Sequence, residues 1–144
     1  MPTPTVERLS RLMIEAGRLI RTRLQGPEGA VGLLSYLQIA TLGCVHESPE
    51  PPLMKEVATR LRVTPPSMTP VIESLTAAGL LRRRPDRKDR RAARLHLTPE
   101  GRRILAAARR AHAEKMRAIL SVLGPEDRGS LARILERLVR EFRA

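Results

Sequence analysis

Aromatic residues are nearly absent from this 144-residue chain, which has one tyrosine, one phenylalanine and no tryptophan. Its hydrophobic core must therefore be built from Leu, Val, Ile, Ala and Met. This composition favours helices, because strands are enriched in aromatic and β-branched residues. The scarcity of aromatic rings also argues against binding of single-stranded RNA, whose unpaired bases stack on such rings.

Cysteines and long apolar runs are scarce as well. One cysteine, Cys44, cannot form a disulfide within the chain, and no apolar run reaches the length of a bilayer span. The N-terminal segment lacks the charged and apolar stretches of a secretory signal. We expect a cytoplasmic protein that makes no contact with membranes.

Residue groupings typical of enzymes and metal sites are also missing. No glycine-rich phosphate loop, carboxylate pair or nucleophile–base arrangement stands out, so we expect no enzymatic activity and no cofactor. The spacing of Cys44, His46 and Glu47 does not place all three on one helical face, so no metal site is predicted. We interpret Cys44 as a packing residue on an apolar helix rather than a redox sensor.

Positive charge is what the chain has in excess. Its formal net charge is +12, which indicates an anionic partner. Residues 82–94 contain eight basic and two acidic residues, so this short segment carries half of the net charge. Leucines flank it at Leu80, Leu81, Leu95 and Leu97. Such apolar flanks indicate a folded element rather than a disordered basic tail.

The spacing of apolar residues and the breakers between them predict six helices. The first covers residues 6–24, and a largely apolar second helix over 31–46 is expected to be buried. Two long helices follow the basic segment, over 99–123 and from residue 125 onward. The apolar stripes of the three long terminal helices exceed what a small domain could cover. We therefore expect them to pack against a second copy of the chain.

A helix-turn-helix is predicted between residues 54 and 79. A short helix over 54–61 is followed by a tight turn. Thr64 is a favourable N-cap for the next helix, and Pro65 occupies the first helical position, where its missing N–H costs nothing. Gly79 ends this second helix. Two short helices joined in this way are typical of a helix-turn-helix.

The basic segment is predicted to form a hairpin, or wing, directly after these helices. Ala93, Leu95 and Leu97 alternate with Arg94 and His96, which indicates a half-buried strand, and residues 80–84 would be its partner. The apolar arms would pack on the helices, and the basic tip would project into solvent. The result is a winged helix, whose second helix fits the major groove and whose wing reaches phosphates or the minor groove.

These segments resemble the MarR family of bacterial transcriptional regulators. Residues 56–83, EVATRLRVTPPSMTPVIESLTAAGLLRR, look like the family's helix-turn-helix. Residues 83–101, RRPDRKDRRAARLHLTPEG, look like its wing. Asp86 and Asp89-Arg90-Arg91 match the acidic–basic wing pattern, and Leu97-Thr98 with Gly101 match its exit into the next helix. The resemblance covers nearly the whole chain.

The resemblance implies a mainly α fold with a small β-hairpin wing, forming one MarR-like domain over 1–144. Residues 31–98 would be the DNA-binding region, and residues 1–30 and 99–144 a helical dimerisation region. It further implies a homodimer that binds the two halves of a pseudo-palindromic double-stranded operator. A small aromatic or phenolic effector would release or tune a repressor of this kind. Here the effector would meet an aliphatic pocket near Tyr36.

The candidate DNA-contacting residues lie on the second helix of the helix-turn-helix, called the recognition helix below, and on the wing. On the recognition helix they are Thr64, Pro65, Pro66, Ser67, Thr69 and Pro70. On the wing they are Arg84, Arg87, Lys88, Arg90, Arg91 and Arg94. We expect Asp89 to pair with Arg91 and thereby orient the tip of the wing.

Two positions depart from the family pattern. Pro70 stands where the recognition helix often carries a basic residue, and Arg62 stands where the turn often carries glycine. Because proline removes a helical hydrogen bond, we expect a bent or loosened recognition helix. Base readout would then be modest, and the wing would supply much of the affinity. Two functions remain open: a sequence-specific regulator and a sequence-tolerant architectural DNA-binding protein.

Overall fold

The computed structural model describes residues 3–24 and 34–143. Within these ranges it contains six helices and one two-stranded antiparallel sheet, in agreement with the predicted winged-helix architecture. The helices and strands are α1 Val6–Leu24, α2 Tyr36–Glu47, α3 Met54–Leu61, α4 Pro65–Ala77, β1 Leu81–Pro85, β2 Ala93–Leu97, α5 Pro99–Leu120 and α6 Pro125–Arg143.

The chain divides into two compact units, one of residues 27–110 and one of residues 1–26 with 111–144. Residues 99–110 of α5 thus belong to the first unit. In the second unit, α1 and α6 have no buried residue. None of the described helices combines the length and the apolar character needed to cross a membrane.

The core of the first unit is aliphatic, as the composition requires. It is formed where α2, α3 and α4 meet the wing strands and the beginning of α5. Its most buried large side chains, each at most 2% exposed, are Leu42, Val57, Met68, Ile72, Leu75, Leu81, Leu95 and Leu105. Three of these belong to α4, so the inward face of the recognition helix is anchored along most of its length.

Helix α2 begins later than the predicted range of 31–46, of which residues 31–33 lie outside the described residues. A capping box sets its start. The Ser35 hydroxyl accepts from the Gln38 N–H at 3.2 Å, and the Gln38 side chain accepts from the Ser35 N–H at 2.7 Å. This Ser-x-x-Gln signal is readable in the sequence. The burial expected for α2 is confirmed for residues 41–45.

Helix α4 ends in a Schellman motif, which confirms the predicted role of Gly79. Gly79 has a positive φ of 74° and donates to the carbonyl of Thr76, while Leu80 donates to that of Leu75 at 2.9 Å. Leu80 is therefore part of the helix end. As a result the first wing strand begins at Leu81, one residue later than predicted.

Candidate nucleic-acid interface

The recognition helix, α4, presents a surface of prolines and hydroxyls. Thr64 caps the helix by accepting from the Ser67 N–H at 3.3 Å. With Met68, Ile72 and Leu75 buried on the inner side, the residues that face solvent near the helix start include Pro65, Pro66, Ser67 and Pro70. Residues 65–77 contain no Lys or Arg and one acidic residue, Glu73.

The three hydroxyls expected to contact DNA, those of Thr64, Ser67 and Thr69, all have partners in the helix or at its cap. The Ser67 and Thr64 hydroxyls are hydrogen-bonded to each other at 2.8 Å. The Thr69 hydroxyl, which is half-buried, donates to the carbonyl of Pro65 at 3.2 Å. The Thr69 proton is thus engaged, whereas the bond between Thr64 and Ser67 uses one of their two hydroxyl protons, and each hydroxyl oxygen can still accept from a base.

Pro70 does not interrupt the helix, which continues to Ala77. Because proline has no N–H, the carbonyl of Pro66 cannot accept the usual bond from residue 70. Pro66 and Pro70 are both exposed, so water can solvate that carbonyl. Solvation at the surface and the buried inner face together account for an unbroken helix across a proline.

The turn before the recognition helix contains the unusual backbone of Arg62. Arg62 caps α3 with a left-handed conformation, φ 55° and ψ 43°, and its N–H lies within reach of the carbonyls of Ala58 and Thr59. A non-glycine residue in this region costs about 1–2 kcal/mol. The left-handed backbone at this turn explains why the family often has glycine there. This chain adopts the same backbone with arginine.

The wing pairs β1 with β2 antiparallel, in a register that runs from Leu81 opposite Leu97 to Pro85 opposite Ala93. Residues 86–92 form the tip. The Asp86 N–H donates to the carbonyl of Ala92 at 3.0 Å and closes the tip. Four basic side chains of the tip are exposed: Arg87, Lys88, Arg90 and Arg91.

The prediction of an ion pair between Asp89 and Arg91 is wrong. The Asp89 carboxylate instead accepts from the backbone N–H of Arg91 at 3.0 Å, a turn-forming contact that leaves the Arg91 guanidinium outside the bond. Because Asp89 and Arg91 are two positions apart in a tight turn, the Asp89 carboxylate lies near the Arg91 backbone and not near the long Arg91 side chain. Asp89 therefore shapes the tip through the main chain.

The ion pair of the wing joins Arg94 and Asp86. The Arg94 Nε donates to Asp86 Oδ1 at 2.8 Å, and Arg94 Nη1 donates to the carbonyl of Pro51 at 2.7 Å. The hydrogen bond from Arg94 and its positive charge lower the pKa of the Asp86 carboxyl, against the opposing effect of burial. Arg94, predicted to contact DNA, thus has its guanidinium engaged in holding the wing.

The loop before α3 lies along strand β2 of the wing, a contact that the sequence did not predict. The Leu95 N–H donates to the carbonyl of Pro52 at 2.9 Å, and Leu53 makes an isolated bridge with Arg94. The proline-rich composition of residues 47–52 indicates a loop but does not tell which strand it lies against. Backbone and guanidinium contacts together fix the wing to the start of the helix-turn-helix.

Thr98 connects the recognition helix, the wing and α5. Its hydroxyl donates to the carbonyl of Gly79 at 2.6 Å and accepts from the Gly101 N–H at 2.9 Å. Its own N–H donates to the carbonyl of Leu80 at 3.2 Å. The same side chain therefore caps α5 and holds the end of α4, which sets the angle at which the wing leaves the recognition helix.

The expected effector site near Tyr36 gains no support from the fold. Tyr36 is 86% exposed at the first turn of α2. A cleft of about 320 Å³ lies elsewhere, between α2, α3 and α5. Its lining includes Gly43, Cys44, Glu47, Arg60 and Arg109.

The packing role predicted for Cys44 and the absence of a predicted metal site concern residues around this cleft. The Arg109 guanidinium bonds to the Glu47 carboxylate at 2.7 Å. Cys44 is a buried free cysteine, and burial raises the pKa of its thiol, which fits the packing role. Among the described residues, no group of three His, Cys, Asp or Glu side chains could hold a metal ion.

Comparison with known proteins gives a consistent result. A model described as the MarR family matches residues 34–92. An uncharacterised HTH-type transcriptional regulator of Mycobacterium leprae is 34% identical over 123 residues, which cover 85% of this chain and 83% of that protein.

Solved structures share the fold over nearly the whole chain. The transcriptional regulator BldR of Sulfolobus solfataricus is 30% identical with a TM-score of 0.69, covering 94% of this chain and 99% of that one. BpsR of Bordetella bronchiseptica, whose DNA binding is regulated by 6-hydroxynicotinic acid, is 21% identical with a TM-score of 0.74. The latter match covers 91% of this chain and 98% of BpsR, and at that identity it shows the fold alone.

Proposed function

Because the chain belongs to the MarR family of DNA-binding transcriptional regulators, we propose that it acts as a homodimeric, ligand-responsive repressor at a specific pseudo-palindromic operator. The observation that carries this proposal is the wing. Its four exposed tip cations, Arg87, Lys88, Arg90 and Arg91, stand on a hairpin that is fixed to the helix-turn-helix at several points. Cations held in this way can meet phosphates or a narrow minor groove while α4 enters the major groove.

Fixing the wing matters because a mobile basic loop would bind any anion. The Asp86–Arg94 pair, the Arg94 bond to the Pro51 carbonyl and the Thr98 contacts all limit how far the tip can move relative to α4. A recognition helix and a wing held at one separation can fit only certain positions on a duplex. This rigidity supports a regulator with a defined half-site.

The surface of the recognition helix favours the alternative function in part. It has no cation to contact guanine, and its hydroxyls are already bonded. The exposed prolines and the Thr69 methyl group can make apolar contacts, of the kind that recognise thymine methyl groups. Weak base readout of this kind would bring the protein closer to a sequence-tolerant architectural role, which the experiment below separates from a regulator.

The exposed apolar side chains of the second unit support a homodimer. On α6, Ile134 is 58% and Leu135 50% exposed; on α1, Leu9 is 45% and Leu12 51% exposed. An apolar stripe is expected to be buried against a partner. A second copy of the same stripe would cover it by twofold symmetry. Light scattering should report a dimer, and a monomer at all concentrations would contradict this part of the proposal.

The response to a ligand rests on the likeness to BpsR and on the cleft between α2, α3 and α5. Arg60 and Arg109 line that cleft together with apolar residues and with Glu47, which is bonded to Arg109; a small aromatic or aliphatic acid would bind there through Arg60 or by displacing Glu47. We expect such an acid, with 6-hydroxynicotinic acid as the first probe, to raise the melting temperature and weaken DNA binding. A panel of small acids without effect on either quantity would contradict this part.

Selection from a pool of random duplexes tests the proposed function directly. A regulator should enrich one pseudo-palindromic sequence and hold it against excess bulk DNA, since specific sites are typically bound about 10³–10⁷ times more tightly than non-specific DNA. Binding that bulk DNA abolishes would instead show the architectural function. Failure to bind duplex DNA even at low salt would contradict both.

The wing's part in binding is tested by salt dependence. With ~6–10 phosphate contacts in a dimer, affinity should fall roughly 10³–10⁵-fold between 50 and 200 mM salt. Replacing Arg87, Lys88 and Arg90 with alanine should flatten that dependence. The control replaces three exposed arginines of α5, Arg102, Arg110 and Arg117, and removes the same charge. Equal slopes for the two triple variants would exclude the tip as a phosphate contact.

A further inference from the structure

We propose that the outward face of the wing strands is a second phosphate-binding surface, which extends the DNA contact from the tip along the hairpin. We call it the wing strip and define it by Arg82, Arg84 and His96. The inference rests on the proposed function, because it takes duplex DNA as the partner. It assigns a binding role to Arg82 and His96, and places Arg84 with them rather than with the tip.

The register of the hairpin brings these residues together. Arg82 lies opposite His96, and Arg84 lies opposite Arg94. Side chains alternate between the two faces of a strand, so all four share one face. The other face carries Leu81 and Leu95, which are buried in the core. On the strip face Arg82 and Arg84 are exposed and His96 is half-buried, so the two arginines are accessible to an incoming partner.

The charge on this face is not balanced within the described residues of the wing. Three guanidinium groups and an imidazole occupy neighbouring positions, the Asp86 carboxylate is bonded to Arg94, and that of Glu100, which shares a cleft with Arg82, is bonded to Arg103. Glu50 and Glu56 act on Arg94, from the loop and from α3. Like charges directly opposite each other destabilise a strand pair. A bound anion would remove that cost, which favours a polyanionic partner.

The spacing of the strip suits a nucleic-acid backbone. Residues two apart on a strand are separated by about 6.6 Å, whereas each DNA strand presents a phosphate about every 3.4 Å along the helix axis. Arg82 and Arg84 can therefore reach phosphates that are neighbours or next neighbours. Arg84 leads directly into the tip, so the strip and the tip form one continuous basic surface.

His96 gives the strip a pH-dependent component. It is half-buried, and burial lowers its pKa, followed by the positive charges of Arg84, Arg82 and Arg94. In the free protein it is therefore neutral above its ordinary value of 6.5. A phosphate beside it would raise the pKa again, so binding would take up a proton. Affinity should then increase as the pH falls toward 6.

The first experiment compares the salt dependence of two double variants on the selected duplex. R82Q/R84Q removes the strip, and R102Q/R110Q removes the same charge from exposed positions of α5. If each strip arginine contacts one phosphate, the slope of log K against log salt should decrease by about 3–4 per dimer in R82Q/R84Q. It should stay at the wild-type value in R102Q/R110Q. The variant R82K/R84K, which keeps the charge, should retain most of the slope.

The outcomes separate this inference from the proposed function. If wild-type protein binds the duplex and R82Q/R84Q shows the wild-type slope, the strip is not a phosphate contact and only the inference is overturned. A wild-type protein that ignores duplex DNA overturns the proposed function and the inference together. A melting temperature of R82Q/R84Q equal to or above that of the wild type, as expected when like charges on the strands are removed, shows that a lower slope is not due to unfolding.

The second experiment measures affinity between about pH 8 and pH 6. Wild-type protein should gain up to about tenfold per pH unit per subunit in this range, the limit for one proton taken up. H96Q should lose that gain, whereas H112Q, which changes an exposed histidine of the other compact unit, should keep it. Equal pH dependence in wild type and H96Q would overturn the placement of His96 at the phosphates.

Discussion

Gly101 offers a sharp test of how the wing is held, because the fold leaves no room for a side chain there. A Cβ added at Gly101 would lie 2.2 Å from the carbonyl oxygen of Leu80 and 2.8 Å from a methyl group of Leu97. The first distance is about 1.2 Å short of the 3.4 Å at which ordinary contact begins. The clash is with backbone, which cannot rotate away, so the start of α5 would have to move.

We expect G101A to destabilise the protein by about 1–2 kcal/mol. Overpacking of this kind costs about 1–3 kcal/mol, and the higher helix propensity of alanine offsets up to ~1 kcal/mol of it. The matched control is G43A, also within a helix of the same unit. There the added Cβ meets the far end of the Arg109 side chain at 3.3 Å, which can shift, so its stability should be unchanged or higher.

Chemical denaturation at one protein concentration measures both effects. Because Gly101 donates to the Thr98 hydroxyl that also holds the carbonyl of Gly79, G101A should weaken DNA binding as well, even under conditions in which it is folded. If G101A were as stable as G43A and bound DNA normally, the proposed link between α5 and the wing base would be wrong.

Three further substitutions and one chemical reaction test other parts of the structure. R62G should stabilise the protein by up to about 1 kcal/mol in denaturant titration, because it relieves the left-handed backbone of Arg62; a loss of stability would contradict that strain. The lowered pKa of Asp86 means that its stabilising contribution is complete above the ordinary value of 3.8 and is lost as the pH falls through the folded value. D86N should therefore lose less stability than wild type between about pH 6 and pH 3, and an equal loss in acid-dependent melting curves would argue against the Arg94 pair. P70R should alter the bases enriched by duplex selection, since it adds a donor to the exposed face of the recognition helix; an unchanged preference would mean that this position does not face the bases. Native Cys44 should react with iodoacetamide much more slowly than in unfolded protein, because burial limits access and raises the pKa of its thiol, and equal rates would show that it is accessible.

Local signals in the sequence were sufficient to predict the helix-turn-helix. Thr64 before Pro65 marks a helix start, Gly79 marks its end, and the alternation of Leu95 and Leu97 marks a strand. Each of these signals acts over a few residues and does not depend on the rest of the fold. For the same reason the Ser35–Gln38 capping box, which sets the start of α2, was available in the sequence and was missed.

Contacts between distant segments could not be predicted from the sequence. The pairing of Arg94 with Asp86 depends on the hairpin register, and its bond to the Pro51 carbonyl joins residues 43 positions apart. From spacing alone, Asp89 and Arg91 were the more obvious pair. The left-handed backbone of Arg62 could not be predicted from the sequence either, because arginine has no preference for that conformation. The bond between Arg94 and Pro51 is the long-range case, whereas the corrections at Asp89 and on the recognition helix concern residues two to four positions apart, where several local partners compete.

These corrections change the roles that we expect for the recognition helix and for the wing. Arg94 is bonded to the Asp86 carboxylate and to the Pro51 carbonyl of the loop. These two residues therefore hold the wing in position and do not add to its DNA-contacting surface. The recognition helix bonds its hydroxyls internally and lacks cations, so it offers shape and apolar contact. We therefore expect the positive charge that is available to DNA to lie in the tip and, by our inference, the wing strip. We therefore expect affinity for DNA to depend mainly on the charge of the wing, and sequence selectivity to depend on the fixed separation between the wing and the recognition helix.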